Sequence, residues 1–225
     1  LRSLVGSEMC IRDSEEILIE KYFKTEGRTL DIGCGAGRVT IPLYERGYQI
    51  TGMDYAEKMI AAAKAVNGAI DYRVGNILSA PFEDQEFDNV IFSFNGLMLL
   101  ESYEERLSAV KEVCRLLKDD GKFIFTTPYL DNKVKKSYWS EKAETLGIDT
   151  GNMSWEQQLE LGDEQLEDYG SEFYLHVPFI SEVEQMLEEA GMELLFSARR
   201  LDYSGIEKME DELDDNYLWV TTCKK

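Results

Sequence analysis

From residue 15 onward, short apolar runs alternate with amphipathic stretches, the pattern of βα units that feed a parallel sheet. Glu15 to Lys24 places Ile19, Tyr22 and Phe23 at i, i+3 and i+4 and predicts a helix. Arg28 to Ile32 predicts a strand running into a glycine loop, Arg38 to Arg46 a helix, and Gln49 to Met53 a strand that stops at Asp54. Ala56 to Val66, rich in alanine, lysine and methionine, reads as a helix. Strands at Ile70 to Val74 and Phe87 to Phe92 follow; the second is so uniformly apolar that it belongs at the centre of the sheet.

Ser102 with Glu105 forms a capping box for a helix to about Leu117, and the turn Asp119-Asp120-Gly121 leads into a strand from Lys122 to Thr127 that Pro128 ends. A second box, Ser181 with Glu184, opens a helix that Gly191 terminates. Met192 to Ala198 and Tyr217 to Cys223 are the last strands, with Glu207 to Asp215 an acidic, solvated loop between them. The rhythm breaks from Tyr129 to Val177, a long polar stretch dotted with aromatics, inside which Ser154 and Gln157 cap one helix carrying Trp155 and Leu159 on one face. Long connections of this kind are commonly functional, and this one reads as a lid or substrate-recognition insertion. The fold class is α/β: a doubly wound, mostly parallel seven-stranded sheet with a helical insertion after strand 5, in a single domain from 15 to 225.

Composition narrows this further. With 44% hydrophobic and 11% aromatic residues, a chain of 225 residues can bury a real core. No run reaches the roughly 18 apolar residues of a membrane helix. Cys10, Cys34, Cys114 and Cys223 stand far apart beside a single histidine, which suggests neither a zinc site nor a disulfide framework and fits a reducing cytoplasm. A formal net charge of −20 repels phosphate backbones and disfavours a nucleic-acid substrate. Lys133, Lys135 and Lys136 form a small basic cluster that reads as a solvated face. Leu1 to Ser14 (LRSLVGSEMCIRDS) resembles the translation of a sequencing-adaptor read and is set apart from the fold as a non-native segment. On that reading a native start is missing, which bears on substrate binding.

The chemistry gathers where a strand meets Asp31-Ile32-Gly33-Cys34-Gly35-Ala36-Gly37 and the next strand closes on an acid. Glycines at 33, 35 and 37 let the backbone turn tightly and approach a ligand, and the following helix offers its positive end. A dinucleotide site has GxGxxG; here Arg38 stands where the third glycine should be, which argues against a nicotinamide cofactor. Asp54, about 20 residues on at a strand end, is placed to accept hydrogen bonds from both hydroxyls of a ribose.

The run LDIGCGAGRVT, Leu30 to Thr40, resembles the first motif of the class I S-adenosylmethionine-dependent methyltransferases. Gly52-Met53-Asp54-Tyr55 with Met59, Phe87-Asp88, and Leu116-Leu117-Lys118 with Asp120-Gly121 resemble later motifs in the same order, so the likeness covers residues 28 to 127 well and the rest loosely. The resemblance implies S-adenosyl-L-methionine as cofactor. Asp31 and the loop amides of Gly33, Cys34, Gly35 and Gly37 would face its methionine end, Asp54 the ribose, Tyr55 and Met59 the adenine, and Asn76 and Ile77 would complete the adenine pocket. Many relatives carry an aspartate where this chain has Asn76. Ser93 would also belong to the cofactor-binding set; Asn95, after Phe92-Ser93-Phe94, falls where relatives point a residue at the transferring methyl group and is thus a catalytic candidate, against the alternative of a turn-capping asparagine beside Gly96. The absence of an Asn-Pro-Pro-aromatic motif there favours a small-molecule acceptor.

Methyl transfer from a sulfonium needs alignment and water exclusion above all. If the acceptor must lose a proton, His176, the only histidine, is the candidate base, and a packed or surface histidine is the alternative. Two other functions share the motifs. An aminopropyltransferase would show an acidic pair after the fourth strand, where Asn95 and Gly96 stand, and a catalytically silent binding protein would hold the cofactor without turnover.

Overall fold

The computed structural model describes residues 13–130, 136–168, 171–203 and 216–224. Its helices are α1 (Asp13–Tyr22), α2 (Thr40–Glu45), α3 (Glu57–Val66), α4 (Tyr103–Leu116), α5 (Lys136–Leu146), α6 (Trp155–Gly162), α7 (Ile180–Glu189) and α8 (Arg200–Tyr203). Its strands are β1 (Arg28–Ile32), β2 (Gln49–Asp54), β3 (Asp71–Val74), β4 (Phe87–Phe92), β5 (Leu117–Thr127), β6 (Asp163–Asp168), β7 (Ser171–His176), β8 (Met192–Arg199) and β9 (Tyr217–Cys223). Seven strands form one sheet in the order β3-β2-β1-β4-β5-β9-β8. The first five are parallel, and β9 and β8 join through antiparallel pairings.

Alternation along the strands divides the core. Leu30, Ile32, Val90, Phe92, Phe123, Phe125 and Trp219 face one side and pack with Val110, Val113 and Leu116 of α4 and Val183, Met186 and Leu187 of α7. Ile91, Ile124, Leu218 and Val220 face the other, against Leu18 and Ile19 of α1, Ile41 and Leu43 of α2, and Ile60 and Ala63 of α3. The central strands β1 and β4 are buried on both faces because each face has its own helical layer. The chain leaves β1 toward β2 and β3 and returns to β4 on the other flank, which makes the carboxyl ends of β1 and β4 the topological switch point.

Several sequence expectations need correction. The insertion is not wholly helical: besides α5 and α6 it contains a separate antiparallel ribbon, β6 with β7. Asp-Glu-Gln-Leu-Glu-Asp and Ser-Glu-Phe-Tyr-Leu-His are short of the β-branched residues that mark strands, so local propensity hides it. The insertion carries its own small core, including Leu130, Trp139, Ala143 and Leu161, and its two ends meet where Leu130 N donates to Pro178 O at 2.9 Å. The Ser154 capping box is present and complete. Ser181, by contrast, caps nothing: α7 starts at Ile180 behind Phe179. At α4, Ser102 accepts from Glu105 N, but Glu105 reaches back to Glu101 N rather than to Ser102. Helix α2 begins at Thr40, two residues later than expected, because Gly37 holds a φ of +96°.

Asp13 and Ser14, set apart with the first segment, are part of α1, and Ser14 is buried. Residues 1–12, Lys133, Lys135 and the acidic 207–215 stretch lie outside the described residues, as does the side chain of Lys136. The cysteine expectation also changes. Cys114 on α4 and Cys223 on β9 are joined in a disulfide with their Cα atoms 5.5 Å apart, so cysteine spacing no longer argues for a reducing compartment. Among the described residues no helix is long and apolar enough to cross a membrane.

Candidate functional site

The loop after β1 is built on backbone that side chains resist: Gly33, Gly35 and Gly37 have φ of +64°, +54° and +96°. A Cβ on Gly33 would sit 3.0 Å from the Phe92 ring, whereas one on Gly35 would meet nothing within 4 Å. Cys34 N donates to Met53 O at 3.0 Å, which stitches the loop to the end of β2. The Asp54 carboxylate completes that junction, accepting from Gly35 N through Oδ2 at 2.9 Å and from Ala56 N through Oδ1 at 2.8 Å. Each oxygen keeps a further lone pair for a ligand hydroxyl.

Beside this junction, at the switch point, opens a cleft of ≈ 550 Å³. Gly33, Asp54, Tyr55, Asn76, Ile77 and Ser93, all sequence candidates, line it. Tyr55 is 81% exposed and Met59 48% exposed, large apolar surfaces left at the end of β2 and on α3. Asn76 caps the short 3-10 turn Ile77–Ser79, its Oδ1 accepting from Leu78 N at 2.9 Å. The Ser93 hydroxyl is buried without a partner. The sequence reading missed the opposite wall, to which Phe94, Leu99, Leu100, Glu101 and Glu105 contribute. The connection between β4 and α4 has no motif; only its two consecutive left-handed residues mark it, and those are invisible without coordinates.

Other candidates lie off the cleft wall. Asp31 is 2% exposed and accepts from Thr40 Oγ1 at 2.5 Å. Burial pushes its carboxyl up to about 7, against the opposing pull of Thr40 and Arg38. The cause makes Asp31 a proton acceptor in the folded state at pH values where the unfolded chain has lost that proton. Its contribution to stability is therefore full below the ordinary carboxylate range and is lost as pH rises through about 7. Asp31→Asn is expected to gain on the wild type between these limits by on the order of 4 kcal/mol, read by denaturant unfolding at pH 4 and pH 8. A difference between the two proteins that does not change with pH would remove the effect.

Cys34 is buried, and burial, then Asp31 and Asp54, push its thiol far up, so it packs rather than reacts. Phe94 and Asn95 have φ of +56° and +59°, costly for a phenylalanine. Asn95 N donates to Thr126 Oγ1 at 3.0 Å and Nδ2 to Asn216 Oδ1 at 3.2 Å, while its Oδ1 is buried and unpartnered. The side chain makes no capping bond to the following turn. His176 lies apart from the cleft, fully buried, with both ring nitrogens facing carboxylates: Nδ1 at 2.7 Å from Asp163 and Nε2 at 2.8 Å from Glu182. No free imidazole nitrogen remains to take a proton from an acceptor.

Comparison with known proteins agrees with this geometry. Residues 30–125 match the family described as "Methyltransferase domain". An uncharacterized methyltransferase of Staphylococcus carnosus is 34% identical over 122 residues, 54% of this chain and 57% of that protein. A demethylmenaquinone methyltransferase of Staphylococcus epidermidis is 36% identical over 101 residues, 42% of this chain and 40% of that protein. The chain spans about half the length of the curated relatives it matches. Among solved structures, a SAM-dependent methyltransferase of Methanosarcina mazei superposes with a TM-score of 0.73 at 19% identity, over 92% of this chain and 98% of that one, a likeness of fold.

Proposed function

We propose that this chain is a class I S-adenosylmethionine-dependent methyltransferase that transfers a methyl group from that cofactor to a small-molecule acceptor, a reading supported by the match of residues 30–125 to the methyltransferase-domain family. The observation that carries this reading is the Asp54 junction. One carboxylate pins the glycine loop and the start of α3 and keeps lone pairs for a ribose, at the mouth of a cleft of matching position. The residues present fit the cofactor. Open space above Gly35 admits close backbone approach, and the exposed Tyr55 and Met59 supply apolar cover for a purine.

When bound, the cofactor supplies an already activated methyl group. The chain's own work is then to hold and to exclude. Asp54 grips the ribose, Asn76 and Ile77 border the adenine, and Ser93 and Asn95 stand at the end of β4 as polar groups for the methionine end or the acceptor. Asn76 offers a neutral amide whose oxygen is already engaged by Leu78 N, so its hold on an adenine amine is weaker than a carboxylate's. Phe94, Leu99 and Leu100 give the remaining wall an apolar surface that excludes water and suits an acceptor with an apolar body. The relative that methylates demethylmenaquinone, by its name, is one precedent for such an acceptor. Among the described residues lining the cleft none is Lys or Arg, which disfavours a nucleic-acid backbone.

The test is a metabolite extract incubated with the chain and methyl-labelled cofactor, following both label transfer and release of S-adenosylhomocysteine. A labelled product identifies the acceptor. Tight binding of S-adenosylhomocysteine with no turnover on any fraction would replace the reading with a silent cofactor-binding protein.

A further inference from the structure

Five ionisable side chains from four elements meet behind the outer cleft wall. Arg106 of α4 is 1% exposed; its Nη1 donates to Leu100 O at 3.0 Å and to the Tyr174 hydroxyl at 3.3 Å, and its Nη2 lies 3.6 Å from Glu182 of α7. His176 of β7 sits between Glu182 and Asp163 of β6, and Tyr174 also donates to Asp163. Leu100 lines the cleft, so a continuous chain of polar contacts runs from the β6–β7 ribbon to the cleft wall.

Carboxylates only accept, so while Asp163 and Glu182 are ionised both nitrogens of His176 donate and the ring is an imidazolium. Two cations then balance two anions, the condition under which buried charge is tolerated. Burial draws Asp163 upward, but hydrogen bonds from His176 and Tyr174 outweigh it and hold its carboxyl below the usual range. Gly162, at the end of α6, packs on the ring with backbone, close enough that a Cβ there would lie 2.8 Å from Cε1. Lys142 of α5 bonds the Asp163 carbonyl and Glu164, and Tyr103 of α4 faces Glu182 and Glu189 from farther out.

We infer that Arg106 and His176 are positioning residues for the proposed reaction: they tie the cleft wall at Leu100 to the β6–β7 ribbon, tightly while His176 carries its proton and loosely once it is lost. Loss of that proton turns one ring nitrogen into an acceptor aimed at a carboxylate and leaves the buried set net negative. The tie therefore holds while Asp163 and Glu182 are ionised and the ring is protonated, with both nitrogens donating, and weakens once the ring has only one donor. The inference rests on the methyl-transfer reading only in taking the cleft as the reaction site.

Because His176 is the only histidine, nitrogen NMR follows its protonation without ambiguity. The same chain is then studied by hydrogen exchange from about pH 5.5 to 9, corrected for intrinsic rates. Exchange in peptides covering residues 97–101 and β6–β7 is expected to rise about tenfold in step with imidazole deprotonation. In His176→Gln it is expected to show no such step, and Arg106→Lys should retain part of the protection that Arg106→Met loses. Where Arg106→Met does not fold, His176→Gln carries the test. Exchange that stays flat through the imidazole titration, or that shows the same step in His176→Gln, overturns the inference. Calorimetry of S-adenosylhomocysteine with the wild type tests the methyl-transfer reading separately, since failure to bind leaves the exchange result standing.

Discussion

Asp54→Ala is expected to lower the affinity for S-adenosylhomocysteine about a hundredfold, because two charge-assisted hydrogen bonds at about 1.5 kcal/mol or more each are removed together. The structure shows why this carboxylate and no neighbour carries the effect. It is nearly buried, held by Gly35 N and Ala56 N, and thus oriented before any ligand arrives. A preorganised acceptor contributes more on binding than one that must first be ordered. The alanine variant also leaves two backbone amides without their partner, so part of the loss reflects a loosened loop. Asp54→Asn separates the two effects. It keeps one carbonyl oxygen and the side-chain volume, so its melting temperature should stay nearer the wild type, while a ribose loses one acceptor and meets an N–H donor. Calorimetry and thermal unfolding of both variants decide the matter; unchanged affinity in Asp54→Ala removes the ribose assignment.

What the sequence revealed is the part of the molecule whose local chemistry and long-range role coincide. β1 and β4 were legible to the residue, because buried parallel strands are continuous apolar runs and their ends are fixed by glycine or by polar residues. Asp31, Gly33, Gly35, Gly37 and Asp54 could be found as a motif because spacing along the chain sets them side by side across β1 and β2. Being in the motif did not tell which of them lines the cleft: Asp54 does, and Asp31 turns to Thr40. The second wall was not legible, since Phe94 to Glu105 earns its place only through the backbone turn at Phe94 and Asn95. Nor were the surroundings of His176, because Asp163 and Glu182 reach it from two separate elements and Arg106 joins the set through Glu182 and Tyr174. The Ser181 box failed for a related reason. Helix α7 starts where Pro178 and Phe179 leave the β7 strand, and its first acidic residue, Glu182, is turned inward to His176.

Two alanine substitutions in the glycine loop should part stability from binding. At Gly37 the backbone has φ +96°, and a Cβ would lie 2.8 Å from both Ile41 Cδ1 and the Tyr72 hydroxyl, two side chains already packed in the core. Both contact atoms are side-chain ends, and each side chain is buried, so either must shift against its packed neighbours. The backbone conformation costs about 1–2 kcal/mol and overpacking about 1–3 more, so Gly37→Ala is expected to destabilise the fold by about 2–5 kcal/mol. At Gly35 the φ of +54° is a left-handed conformation that costs alanine about 1–2 kcal/mol, but the added methyl meets no protein atom within 4 Å and adds no overpacking. That methyl does enter the open space beside the Asp54 junction, where a ligand must approach the backbone. Gly35→Ala should therefore lose only the backbone cost of about 1–2 kcal/mol, less than Gly37→Ala, yet bind S-adenosylhomocysteine at least about tenfold more weakly, a loss of about 1.4 kcal/mol. The two variants differ by two positions in one loop and are predicted to fail in different assays. If Gly35→Ala binds as the wild type does, the ligand does not approach this face of the loop, and the GxGxG spacing serves the turn alone.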